Sequence, residues 1–298
     1  VQVLKSTVPN SLYLWVPLPQ QSAAQGNIQQ LSRNKEPFIE NHLGTSLYQL
    51  KDLIENQNET IRLSYLIEVY AVETSVRYQA LKEAAASPIK AAYTVPTQRI
   101  PADDDRIKEK AASITGRERN PYLRARHLYR WILSDIAIKP ELKEASVFDA
   151  LDTGEVDPYA AVMLFCSLAR ALDIPAIPIS GFLIDKNRNA VRHYWAEFWL
   201  DGLGWIPVDP VLGSGILPET VKDTFKLPQD AAQYYFGNTD NQRVAFSRGQ
   251  IQLSQMDPRG RILFRERDYS LQNLWEEATG GLESYSSLWS DLQVTGVY

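Results

Sequence analysis

His193 and Asp209 have side chains that could do acid–base chemistry as a pair: an imidazole takes a proton, and a carboxylate beside it orients the ring and stabilises its charged form. Val191 to Leu200 alternates as a strand does, which puts His193, Trp195, Glu197 and Trp199 on one face. Asp201-Gly202 is a turn signal, and Trp205 to Val208 reads as the returning strand. A three-residue loop over Asp201 to Leu203 sets Asp209 opposite Trp195, one diagonal step from His193; a two-residue loop turns it to the wrong face. The hairpin permits a His–Asp pair without requiring one, since ordinary strand-end residues would read the same way.

A base needs a group to activate. The single cysteine, Cys166, lies in the run Tyr159 to Leu172, which is apolar almost all round and so reads as a helix buried inside its domain. There it packs as a small hydrophobe between Phe165 and Ser167. The loop Thr153-Gly-Glu-Val-Asp-Pro158 enters this helix, with Asp157 as N-cap and Pro158 at the first helical position. A helix start of this kind is where a fold places a reactive group, and its partial positive charge favours an acidic ligand group.

Four segments in order carry a family likeness: Thr153-Gly154, Ala169-Arg-Ala-Leu-Asp-Ile-Pro-Ala176, His193-Tyr-Trp-Ala-Glu197 and Gly204-Trp-Ile-Pro-Val-Asp-Pro210. Together they resemble the core of the bacterial transglutaminase-like superfamily, relatives of papain-type cysteine proteases. The resemblance implies a Cys–His–Asp triad with His193 as base, Asp209 as orienting carboxylate and the nucleophile at position 158, where this chain has proline. The small residues that precede the family's cysteine correspond to Val156 and Asp157. Proline keeps the helix start and removes the sulfur whose thiolate the dipole and an imidazolium would stabilise. Cys166 is no substitute, because eight residues further along the helix it stands roughly 12 Å away and rotated by roughly 80°.

The expected function is therefore a pseudoenzyme: a remnant His193–Asp209 dyad, Pro158 at the lost nucleophile position, and a former cleft that receives a peptide, protein, cell-wall fragment or glycan. Trp195 and Asp157 are its candidate ligand-binding residues. The alternative is a hydrolase or acyltransferase that uses a substitute Ser, Thr or carboxylate, or a water activated by His193. No phosphate-binding glycine loop, zinc spacing or dinucleotide fingerprint occurs, so neither cofactor nor metal is expected. His127, on a mixed helical face, and His42, beside Gly44, read as structural or turn residues.

The expected fold is α+β, a papain/transglutaminase-like core with a central helix on an antiparallel sheet, preceded by an N-terminal β-sandwich. Strands are expected at Leu12 to Pro19, Leu47 to Leu50 and Thr60 to Tyr70, the first stopped by proline. Trp15-Val-Pro-Leu-Pro19 also resembles the β domain that accompanies bacterial transglutaminase-like cores. From Tyr78 to Ile100 the chain is rich in Ala, Pro and Ser, with Ser87-Pro88 and Val95-Pro96 as breakers, so the boundary falls between 1–92 and 93–298. Asp103-Asp-Asp105 complements the dipole of a helix ending near Gly116, and a second helix is expected from Pro121 to Asp135. After the central helix come a strand from Ile174 to Ile184, interrupted by Pro175 and Pro178, and another at Arg243 to Ser247. The tail from Leu271 through Trp275, Leu282, Tyr285 and Trp289 is aromatic-rich; packing over the core is favoured there above a carbohydrate-stacking surface.

A net charge of −5 with no dense basic patch argues against nucleic acid as partner, and no apolar run is long enough to span a membrane. The chain starts at Val1 rather than Met, as a trimmed chain would, and the likeness to exported bacterial proteins suggests an extracytoplasmic location.

Overall fold

The computed structural model describes residues 1–81 and 86–298. Along the chain the strands are β1 (Gln2–Pro17), β2 (Gln25–Arg33), β3 (Ile39–His42), β4 (Thr45–Lys51), β5 (Leu63–Val69) and β6 (Val72–Glu73). A helical stretch follows: α1 (Pro88–Tyr93), α2 (Asp105–Thr115) and α3 (Pro121–Asp135), then β7 (Ala137–Ile138), α4 (Asp149–Asp152) and β8 (Glu155–Val156). The centre of the chain is α5 (Pro158–Ala171), β9 (Ala176–Ile184), β10 (Ala190–Leu200), β11 (Gly204–Val208) and α6 (Pro210–Gly213). The remainder is α7 (Ala231–Tyr234), β12 (Asn238–Thr239), β13 (Arg243–Arg248), β14 (Arg261–Leu263) and β15 (Glu276–Ser286).

The fold is α+β with antiparallel sheets, as expected. α5 packs its apolar side on Tyr194, Ala196 and Phe198 of β10, while α2 and α3 cover its back. The sheet under it has the order β11-β10-β9-β13. Side chains alternate across it, so His193, Trp195 and Glu197 lie on the face away from α5. β9 runs unbroken through Pro178, a correction to the expected interruption. The last β13 partner of β9 is Ile179, so the N–H that proline lacks has no ladder position to fill on that side. Gly181, the cross-strand partner of His193, lets β13 come close: a Cβ there would stand 1.9 Å from the Val244 carbonyl oxygen.

The strand-rich layer is a five-stranded sheet of order β14-β15-β1-β4-β3, with the β2–β5 ribbon supplying Leu63 to the apolar cluster on one face. Several local expectations are corrected here. β1 starts at Gln2 and passes Pro9 where its register with β15 slips, so it is far longer than Leu12 to Pro19. The tail divides its work: Trp275 packs with Phe182, Val244 and Phe246 beside the core sheet, while β15 pairs with β1. Residues 1–92 therefore do not build their sheet alone. Ser87-Pro88 opens α1 rather than breaking the chain, because the Ser87 hydroxyl accepts the Lys90 N–H at 3.1 Å. Part of the expected junction, 82–85, lies outside the described residues.

Candidate active site

The β10–β11 hairpin closes with the three-residue loop. Leu200 pairs with Gly204 and Ala196 with Val208, which carries Asp209 to the His193 face. Asp209 also caps α6: Oδ1 accepts from the N–H groups of Val211 and Leu212 at 3.1 and 2.9 Å. That orientation leaves Oδ2 to meet His193 Nε2 at 2.7 Å, with both residues only 2% exposed. The same oxygen accepts from Arg243 Nη1 at 2.9 Å, and Arg243 is held in turn by Asp240 through Nη2 at 2.5 Å. Burial pushes the Asp209 carboxyl up, but His193 and Arg243 outweigh it and hold it below its ordinary value. Burial likewise disfavours the Arg243 charge, and Asp240 and Asp209 overcome it, so the guanidinium stays charged. Trp195 stacks on His193 at 5.9 Å between centroids and lies 5.1 Å under the Arg243 guanidinium.

The helix start is built as the sequence implies. Gly154 turns the loop at φ 72°, and Asp157 caps α5 by accepting the Ala160 N–H at 2.6 Å. Its second oxygen accepts from Arg267 Nε at 2.8 Å, and Arg267 also donates to the Ala145 carbonyl and lies 4.8 Å over the Tyr159 ring. The place proposed for an acidic ligand group is thus filled by the chain's own Asp157, whose two oxygens are both engaged. Pro158 is half-buried at the first helical position. Tyr159, the next residue, stands edge-on to Tyr194 at 5.3 Å, so the helix start lies at the His193 end of β10. Cys166 is fully buried, and burial pushes its thiol up to about 12, only partly opposed by Arg170. Arg170 donates twice to the Ala176 carbonyl, fixing the end of α5 to the start of β9.

The structure brings His193, Asp209 and Trp195 together, while Asp157 and Pro158 stand at the start of α5, on the side of the sheet that Tyr194 faces. Trp195 is 5% exposed, a wall of the dyad that also lines a small cleft with Glu197, Arg243, Arg248, Thr239 and Gln25. The substitute nucleophile that the hydrolase alternative needs has one candidate by hydrogen bonding among the described residues, Asp209, and four donors already occupy it. His127 is half-buried on α3 and His42 is exposed, both remote in sequence from these contacts. Sequence reasoning missed Arg243, Asp240 and Arg267; the only signal was an acidic turn residue three places before a strand arginine. Among the described residues no three of His, Cys, Asp and Glu are grouped to hold a metal ion.

Residues 108–210 match the profile of the transglutaminase-like superfamily, and that span runs from α2 through α5 to the residue after Asp209. This segment is a transglutaminase-like domain. The chain is 26% identical over 275 residues to an uncharacterised Haemophilus influenzae protein, covering 78% of this chain and 73% of that one. In fold it resembles a Cytophaga hutchinsonii protein suggested to be a cysteine protease, at TM-score 0.51 and 17% identity, covering 93% and 94% of the two chains. The periplasmic domain of TgpA from Pseudomonas aeruginosa aligns at TM-score 0.42 and 18% identity over 78% and 77%. Among the described residues no helix is long and apolar enough to cross a membrane.

Proposed function

We propose that this chain is a transglutaminase-like pseudoenzyme that binds or scaffolds rather than turns over substrate. The observation that carries the reading is proline at position 158, the helix start where the family likeness puts the nucleophile, in a chain that keeps a paired but buried His193 and Asp209. Cys166, inert in the middle of the same helix, offers no replacement. The ligand class is an extended peptide, a cell-wall fragment or a glycan, and the cleft beside Trp195 is where we place it. Glu197, buried there and paired with Arg248, gives that cleft a polar wall.

Calorimetric titration with soluble cell-wall peptides, unrelated extended peptides and oligosaccharides tests the binding role. Binding of one class should survive physiological salt and weaken about tenfold in Glu197→Gln, a change of about 1.4 kcal/mol. If no class binds, the module reading fails. The extracytoplasmic location belongs to the same proposal and rests on the family likeness; recovery of the protein in the cytosolic fraction of its native cells would refute it.

A further inference from the structure

β10 carries more aromatic surface on the His193 face than the dyad uses. Beyond Trp195 and Glu197 the next side chain on that face is Trp199, and the register sets Pro207 opposite Glu197 and Trp205 opposite Trp199. The two indoles meet edge-on at 5.5 Å, and Trp199 Nε1 donates to Asp201 Oδ1 at 2.8 Å. Tyr93, the last residue of α1, stands edge-on to Trp205 at 5.2 Å. Packing does not bury this group: Tyr93 is 37% exposed and both tryptophans are half-buried. Trp195 and Trp199 stand about 13 Å apart along the strand, so the cleft beside Trp195 continues over Glu197 and Pro207 onto the aromatic group as one track.

At the inner end of the track polar groups are left over. Among the described residues the Thr239 hydroxyl and Arg248 Nε are buried without a hydrogen-bond partner, and Glu197 uses one carboxylate oxygen on Arg248 and leaves the other open. The charges there are paired, Glu197 with Arg248 and Arg243 with Asp209 and Asp240, so no unpaired cation stands ready for an anionic ligand. A peptide recognised by strand addition finds the core sheet closed on both sides of the cleft. On β13, the Gln20 N–H and the Gln25 side chain take up the backbone of Ala245; on β11, Pro207 has no N–H and its carbonyl accepts from Gly237. Rings to cover an apolar C–H face, with uncharged donors and acceptors left for hydroxyls, match a sugar chain. We propose that this track binds an uncharged oligosaccharide, its terminal unit at Thr239 and Glu197 and its following units on Trp199, Trp205 and Tyr93. The inference rests on the binding-module reading and names the ligand class of that site.

The test is calorimetric titration of the full chain with chito- and cello-oligosaccharides, from disaccharide to hexasaccharide, beside an uncharged extended peptide. Affinity for one sugar series should rise with chain length until the track is filled. Trp199→Ala should weaken binding of the longest member about tenfold and Tyr93→Ala about fivefold, whereas Trp199→Phe, which keeps a ring, should stay within about twofold of wild type. Folding of each variant is checked by thermal unfolding, and the exposed Tyr93 serves if Trp199→Ala does not fold. Oligosaccharide binding that Glu197→Gln weakens and the folded ring variants leave unchanged would overturn the track while the cleft reading stands. Peptide binding without oligosaccharide binding would overturn the proposal and leave the binding-module reading intact. If neither binds, that reading fails and the proposal with it.

Discussion

Asp209 is out of water and accepts from Val211, Leu212, His193 and Arg243, so its removal strands several buried donors at once. Asp209→Asn should cost about 3–5 kcal/mol in urea unfolding, because the amide nitrogen faces donors and the Arg243 charge loses a partner. Its pH dependence has a fixed sign. The folded carboxyl is held below its ordinary value, so its contribution is full above about pH 4 and is lost as pH falls through the lowered folded value. Wild type should therefore lose more stability than Asp209→Asn on acidification, and parallel losses would contradict the pairing. Cys166 makes a second prediction: with its thiol pushed up to about 12 by burial, a thiol reagent should label it only as the chain unfolds. Rapid labelling of the native protein would be incompatible with its place in α5. At this scale the His–Asp pair is half legible in the sequence. Alternation fixes the faces, but the loop length that decides the register does not follow from Asp201-Gly202 alone. Arg243 is not legible, because an arginine after a polar turn reads as a solvated charge until its carboxylates are seen.

α5 is the best-read element, for its Asp157–Pro158 start and its apolar run both follow from local physics. Less visible is what Asp157 does beyond capping, since Arg267 arrives from far along the chain. Asp157→Asn keeps an acceptor for the Ala160 N–H and should cost about 1–2 kcal/mol through the weakened Arg267 contact. Asp157→Ala also loses the cap and should cost about 1 kcal/mol more. Equal losses in chemical denaturation would show that the cap contributes nothing. α2 and α3 are equally legible: Asp104 and Asn120 cap them, and Gly116 ends the first. Strands are harder. β1 is longer than its apolar half suggests because its pairing with β15 carries it past Pro9, and no local signal announces that partner.

The whole molecule closes on itself through that partner. The first and last strands of the chain lie side by side, and the Gln25 side chain bonds both the N–H and the carbonyl of Ala245 on the core sheet, at 2.7 and 3.0 Å. A boundary near 92 marks where strands give way to helices, yet the sheet needs residues from both sides of it. A fragment of residues 1–92 should thus give a collapsed amide spectrum, and truncation before β14 should destabilise the N-terminal strands. A well-dispersed spectrum from the fragment would show that β14 and β15 are dispensable. Topology of this kind is illegible in a single sequence because pairing between distant strands depends on register and not on local pattern. One measurement bears most directly on the proposed pseudoenzyme role: the intact wild-type chain, beside His193→Gln, assayed for amide and ester hydrolysis and for joining an amine to a glutamine-containing peptide. The two proteins should be indistinguishable from the uncatalysed background. Turnover by wild type that His193→Gln abolishes would contradict the claim that this site has lost its nucleophile.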